Sequence, residues 1–242
     1  MQLVDIGANL TAEAFQNDVH QVIAEAHECG VTRMVLTGSD VADSKAAAAL
    51  SESYPSQLWS TAGIHPHMAK SFDDNSIETL TELLALPQVV AVGETGLDYN
   101  RNFSEPEQQK KSFEAHLQLA AETKLPMFLH QRDAHDDFLL LLEKYRADLG
   151  PVVVHCFTGE ENELDDYLAL DCHIGITGWI CDERRGHHLR DFVGKIPAGR
   201  LMIETDAPYL LPRDLKPKPK SRRNVPKYLP HICEVIAECR GT

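Results

Sequence analysis

Val89-Val90-Ala91-Val92-Gly93-Glu94-Thr95-Gly96-Leu97-Asp98 is the stretch that decides how the chain is read. Apolar residues run together from Val89 without polar alternation, which describes a strand buried on both faces of a parallel sheet. Gly93 closes the run, and Glu94 and Asp98 follow it directly. A strand that ends in carboxylates is the unit from which an α/β active-site rim is made.

Seven further runs resemble it: Leu3–Ile6, Arg33–Leu36, Leu58–Ile64, Pro126–Leu129, Pro151–Val154, Cys172–Ile176 and Leu201–Ile203. The eight starts lie 21 to 37 residues apart, room for one strand, one helix and two loops per unit. The segments between them carry helix signals. Asn17–Cys29 is stopped by Gly30, the Ala-rich Asp40–Ser53 by Pro55, and Ser76–Leu86 by Pro87. Ser104-Glu105-Pro106-Glu107 opens the longest helix, with Ser104 as the expected N-cap. Ala134–Tyr145, Glu161–Leu170, His187–Val193 and Pro226–Cys239 complete the set. Eight β/α units predict a TIM barrel occupying residues 1–242 as one domain. An open doubly wound sheet is the alternative, and the count of eight favours the barrel.

Composition narrows the function. The 242 residues are 43% hydrophobic and 25% charged, as in ordinary soluble domains. No apolar run approaches the ~20 residues of a membrane span. The amino terminus lacks the pattern of a secretion signal, and the six scattered cysteines form no C-x-x-C pair, so a reduced, cytoplasmic protein is expected. The net charge of −14 opposes a sequence-independent nucleic-acid coat. One segment runs against that balance. Arg213–Lys227 holds seven basic residues, among them Arg222 and Arg223, with Asp214 as its sole acid. It follows the eighth strand and is expected to hang over the rim and bind an anionic polymer.

The strand ends supply the chemistry. His65 and His67 follow the third strand, Glu94 and Asp98 the fourth, His130 and Arg132 the fifth, His155 the sixth, and Glu204-Thr205-Asp206 the eighth. Glu94, His130, His155 and Asp206 form a mixed imidazole and carboxylate set suited to a divalent cation. For any one of them, capping a strand end as a buried polar residue is the simpler explanation. Four on one rim make a site. His65 is favoured over His67 for a direct role because it is nearer the strand end. Arg132 can grip phosphate with its fork of donors, although a rim salt bridge competes. Trp59 is expected in the core. Trp179, after the seventh strand, could stack on a base or pack inside.

Gly63-Ile64-His65-Pro66-His67, Gly93–Asp98, His130 before Arg132-Asp133-Ala134, His155-Cys156-Phe157-Thr158-Gly159 and Glu204–Leu210 stand in the order found in the TatD-type metal-dependent deoxyribonucleases. The resemblance covers Asp5 to about His231. Gly178–Gly186 and Asn100–Phe103 resemble the TatD branch more than its paralogues. The resemblance implies a divalent-metal-dependent 3′–5′ exonuclease on single-stranded DNA or RNA, active in repair of oxidative DNA damage. It also implies Glu94, His130, His155 and Asp206 as metal ligands. In the mechanism expected from these residues, Asp206 orients or deprotonates water, His65 donates to the phosphate, and Arg132 with the basic segment holds the backbone. The histidines suggest Mn²⁺ or Zn²⁺, while the resemblance implies Mg²⁺. A monomer is expected.

Two departures stand out. Many relatives begin with Asp-x-His-x-His, and here Asp5-Ile6-Gly7-Ala8-Asn9 stands instead, which weakens the case for a fully protein-held metal pair. Relatives also continue past the last helix, so that helix is expected to be incomplete. Two other classes compete: an amidohydrolase-like C–N or ester hydrolase such as an aminoacyl-tRNA deacylase, and a non-catalytic barrel.

Overall fold

The computed structural model describes residues 2–242, apart from the side chain of Asp74. Eight strands run parallel in sequence order: β1 (Leu3–Ala8), β2 (Val31–Leu36), β3 (Leu58–Ala62), β4 (Val89–Asp98), β5 (Met127–Arg132), β6 (Val152–Val154), β7 (His173–Ile176) and β8 (Leu201–Ile203). Each is followed by a helix: α1 (Val19–Glu28), α2 (Val41–Glu52), α3 (Asp74–Leu84), α4 (Pro106–Thr123), α5 (His135–Tyr145), α6 (Glu161–Ala169), α7 (His187–Phe192) and α8 (Leu229–Arg240). A parallel bridge between Ala8 and Ala207 joins the last strand's end to the first. The Asp206 amide donates to the Gly7 carbonyl at 2.8 Å across the same seam. The architecture is the TIM barrel.

Asp5 ties that seam from inside. Its carboxylate accepts from the Thr205 amide at 2.9 Å, the Thr205 hydroxyl at 2.5 Å and the Gly7 amide at 3.2 Å. Burial dominates these bonds and pushes the carboxyl up to about 7.

Three expectations are corrected. β4 does not stop at Gly93. Gly93 and Gly96 adopt φ of +141° and +142°, a region open to glycine, and pairing with β5 resumes across both to Asp98. Glu94 therefore sits within the strand. Helix α4 is capped by Glu105, with Pro106 in the first turn, where its missing N–H costs nothing. Ser104 instead accepts the Lys70 amide at 3.0 Å and donates to the His67 carbonyl at 3.0 Å, tying the β3 loop to α4. Trp59 lies between buried Leu58 and Ser60 on the other side of the strand and is only partly buried. As for α8, Gly241 with φ of +69° caps its end.

The apolar core fills the layer between sheet and helices. Phe113 on α4 stacks on Phe138 of α5 at 5.1 Å, and Tyr167 of α6 meets Phe138 edge-on at 5.7 Å. All three are fully buried, and each contributes about 1.5–3 kcal/mol by leaving water. Among the described residues no helix is long and apolar enough to cross a membrane.

One buried polar group supports the loop after β3 from behind. His116 of α4 accepts the Ile64 amide on Nε2 at 3.1 Å and donates from Nδ1 to the Ser112 carbonyl at 2.7 Å. Only the neutral ring can do both. Burial accordingly pushes its pKa from 6.5 down to about 4. In the unfolded chain it protonates first, so its stabilisation is complete above pH 6.5 and is lost as the pH falls through 4. The shift corresponds to about 3 kcal/mol. Denaturant unfolding at pH 7 and pH 4.5 is expected to show a smaller loss on acidification in His116→Asn than in wild type. Equal losses in the two proteins would contradict this role.

Candidate metal centre and active site

Four strands bring imidazoles and carboxylates onto one oxygen. Glu94 Oε1 lies 2.7 Å from His155 Nε2, 3.1 Å from His130 Nδ1 and 3.3 Å from His65 Nε2. These side chains come from β4, the end of β6, β5 and the loop after β3. Burial alone would raise the Glu94 carboxyl, but His155, His65 and His130 outweigh it and hold it well below the usual range.

Carboxylates stand behind two of the rings. Glu204, fully buried, places Oε2 3.3 Å from His155 Nδ1, and its Oε1 accepts the Cys156 amide at 2.5 Å. Asp98 Oδ2 lies 3.4 Å from His130 Nε2 and 2.6 Å from His67 Nε2. Glu204 bonds the outer nitrogen of His155 and Asp98 lies beside that of His130, each leaving the inner nitrogen facing Glu94, the arrangement that orients histidine ligands of metals. Burial lowers the affinity of His155 for a proton, yet Glu94 and Glu204 overcome it and raise the pKa well above normal. His130 is raised in the same way by Asp98 and Glu94, against burial.

His65 differs. Its Nδ1 accepts the His67 amide at 3.0 Å, which places the proton on Nε2. That nitrogen is a donor toward the pocket. Burial pushes the ring down to about 4, so it is neutral near pH 7.

These residues fit a divalent ion. Three imidazole nitrogens converge on Glu94 Oε1, and a cation there could take that oxygen with nitrogens of the converging rings. His65, Glu94 and His130 each offer a donor atom within 4.8 Å of the others.

The fourth expected ligand, Asp206, stands apart from that knot. Its Oδ1 accepts from Asn9 Nδ2 at 3.0 Å, and it makes no hydrogen bond to Glu94 or His155. It lies near enough to His155, Glu94 and Glu204 to feel their charges. Burial, reinforced by Glu94 and Glu204 against the pull of His155, pushes its carboxyl up to about 7. A bound cation would bring it down.

The absence of a side chain at Gly7 also has a structural counterpart. A side chain at Gly7 would collide with Glu204 Oε2, and one at Gly175 would meet Glu204 Oε1. Glu204 occupies the space that these two glycines leave. Sequence reasoning placed Glu204 on the rim but gave the acid role there to Asp206 alone. The signal available was an acid placed directly after the eighth strand.

The remaining expected residues divide. Arg132 lies over Trp179 at 5.0 Å, with Arg185 at 4.2 Å over the same ring. Trp179 is only 9% exposed and donates from its indole to the Arg185 carbonyl, so it packs and offers no face to a base. Arg223 is taken up by Asp18 at 2.6 and 2.9 Å and by the Ala14 carbonyl, which makes it an anchor of the basic segment rather than a free phosphate contact. Lys227 pairs with Glu25 at 2.7 Å and Arg213 with Glu183 at 3.5 Å. Lys216, Lys218, Lys220 and Arg222 are exposed and make no ion pair among the described residues.

A family profile described as TatD related DNase matches residues 4–242. The chain belongs to the TatD-related DNase family. It is 54% identical over 238 residues to a protein of Edwardsiella piscicida called 3′-5′ ssDNA/RNA exonuclease TatD, covering 98% of this chain and 92% of that one. A Pectobacterium atrosepticum protein of the same name is 53% identical over 239 residues, covering 99% and 92%. Among solved structures, a TatD family hydrolase from Entamoeba histolytica superposes with a TM-score of 0.90 at 28% identity, covering 100% of this chain and 92% of that one. The TatD homologue YJJV from Escherichia coli superposes at 0.88, again 28% identical, covering 98% and 90%. A guanine deaminase from C. acetobutylicum, 10% identical with a TM-score of 0.53, shares the fold alone. TatD-family membership thus rests on motifs along the whole barrel.

Proposed function

We propose that this chain is a metal-dependent 3′–5′ exonuclease that hydrolyses the phosphodiester bonds of single-stranded DNA and RNA. The observation that carries the reading is Glu94 Oε1 at the focus of three imidazoles, two of them backed by buried carboxylates. The names of the relatives in Edwardsiella and Pectobacterium support the substrate and the polarity.

Glu94, His130 and His155 would hold the ion, and Asp206, at the seam between β1 and β8, would complete the set. When bound, a divalent ion would supply Lewis-acid polarisation of the phosphate and acidify a nearby water. We take Mg²⁺ as the working ion, with Mn²⁺ and Zn²⁺ as alternatives that the imidazoles also suit. Glu204 and Asp98 keep the rings of His155 and His130 turned inward. His65 donates from Nε2 to the phosphate or the leaving oxygen, and His67, held by Asp98, lines the approach. Asp206, poised near 7 before a cation enters, orients or deprotonates the attacking water. Arg132 and the unpaired cations Lys216, Lys218, Lys220 and Arg222 grip the backbone. The six unpaired cysteines suit the cytoplasm. A role in repair of oxidised DNA rests on the family resemblance alone.

Single strands are preferred because exposed aromatics flank the site. Phe103 is 56% exposed and sits against His67 at 4.8 Å, while Tyr209, 59% exposed, follows Asp206 closely. Stacking of one base contributes about 1–3 kcal/mol. Phe103→Ala is therefore expected to raise KM for a single-stranded oligonucleotide by about fivefold or more, with kcat changed by less than about twofold. An unchanged KM would remove Phe103 from the substrate path.

The reading as an exonuclease is tested with matched linear and circular single strands. Linear DNA is expected to be degraded and the circle to survive in the presence of Mg²⁺. Equal degradation of both would refute end-dependence.

A further inference from the structure

A second group of metal-type donors lies outside the catalytic pocket and shares no residue with it. Cys181 ends the short turn after β7, Asp214 follows β8, and His231 stands in the first turn of α8. Residues from two neighbouring β/α units, β7–α7 and β8–α8, thus meet. A thiol, a carboxylate oxygen and an imidazole nitrogen there lie within 4.8 Å of one another. His231 Nε2 is 2.7 Å from Asp214 Oδ1, and Arg190 holds Oδ2 of the same acid at 3.5 Å, leaving Oδ1 to face the ring. Cys181 is fully buried, while His231 and Asp214 are 27% and 35% exposed. The cluster is therefore open on one side and closed on the other.

We propose that Cys181, Asp214 and His231 form a structural Zn²⁺ site that clamps the start of the basic β8–α8 segment to the β7 turn. The donor types decide the ion. Thiolate with imidazole selects a borderline-soft cation, and Mg²⁺ or Ca²⁺ would not take the sulfur. Zn²⁺ ligands stand about 2.0–2.3 Å from the ion, so donors spread over less than 5 Å close on it with small side-chain movements. On binding, the Cys181 thiol loses its proton to solvent and the sulfur becomes the ligand. Solvent takes the fourth position on the exposed side. The charge of Arg190 is already balanced by the second oxygen of Asp214, so it braces the ligand. The clamp would hold Arg213 and Asp214 in place at one end of the segment, as Arg223 and Lys227 do at the other.

The test uses the full chain stripped of metal and titrated with Co²⁺. Thiolate ligation gives a near-ultraviolet sulfur-to-cobalt charge-transfer band, which imidazole and carboxylate ligands do not. The band is expected in wild type, in Cys156→Ser and in Glu94→Ala, and is expected to vanish in Cys181→Ser. Survival in Glu94→Ala keeps this site separable from the nuclease reading. His231→Gln, a partly exposed position, guards against a folding failure at buried Cys181. It is expected to need at least about tenfold more Co²⁺ for half of the band and to retain one fewer equivalent of Zn²⁺ after gel filtration. No band in wild type overturns the proposal. So does a band that is lost with Cys156 and kept in Cys181→Ser, or Zn²⁺ retention unchanged in His231→Gln.

Discussion

Glu94→Ala is expected to lower the rate of phosphodiester hydrolysis by roughly three orders of magnitude or more while the barrel stays folded. The carboxylate is the one group that three imidazoles share, so its loss removes both an anionic donor and the field that holds the rings. Folding survives because the remaining groups can relax to a neutral set. Without Glu94, the pull that raises His155 and His130 weakens, and both rings can lose a proton more readily. Glu94→Gln sharpens the test. It keeps shape and hydrogen bonding but drops the charge, and it is expected to lose activity to a similar degree. Steady-state rates beside circular dichroism of each variant check both halves. A folded Glu94→Ala protein with more than about a tenth of wild-type activity would place the reacting centre elsewhere.

Gly96→Ala is expected to be the most damaging single change to stability, at about 4 kcal/mol or more. Gly96 has φ of +142°, and a Cβ there would run into the His130 carbonyl oxygen on the neighbouring strand. Backbone does not step aside as a side chain tip does. The cost therefore combines a disallowed conformation with a displaced β5. In a domain of this size such a loss lowers Tm by about 10 °C or more. Because β5 carries His130, any protein that does fold is also expected to bind its metal less tightly. A Tm within about 2 °C of wild type would show that β4 and β5 can part without cost.

Much of this architecture is readable in the chain because burial writes it there. Val89–Val92 and its counterparts are apolar on both faces, as only strands lying under helices can be. Polar residues at their ends then fall on one rim, which is how His65, Glu94, His130 and His155 come within reach of a single oxygen. What stays hidden depends on contacts between distant strands. Glu204 matters because Gly7 and Gly175 leave it room, and neither glycine announces that by spacing. The extension of β4 through Glu94 depends on two glycines at positive φ, so the sequence reading stops the strand at the first of them. Pro106 moves the cap of α4 from Ser104 to Glu105, a competition that local pattern leaves open. The partnership of Arg223 with Asp18 spans most of the chain and turns an expected phosphate contact into an anchor.

The central claim is that one divalent-metal centre built on Glu94 trims single strands from the 3′ end. The most direct measurement is digestion of a 5′-labelled single-stranded oligonucleotide with Mg²⁺, Mn²⁺, Zn²⁺ or EDTA, alongside Glu94→Ala. The account predicts a ladder of labelled products that shortens stepwise with a divalent ion and is absent with EDTA and in the variant. Immediate release of labelled mononucleotide, or a ladder that persists in EDTA, would contradict it.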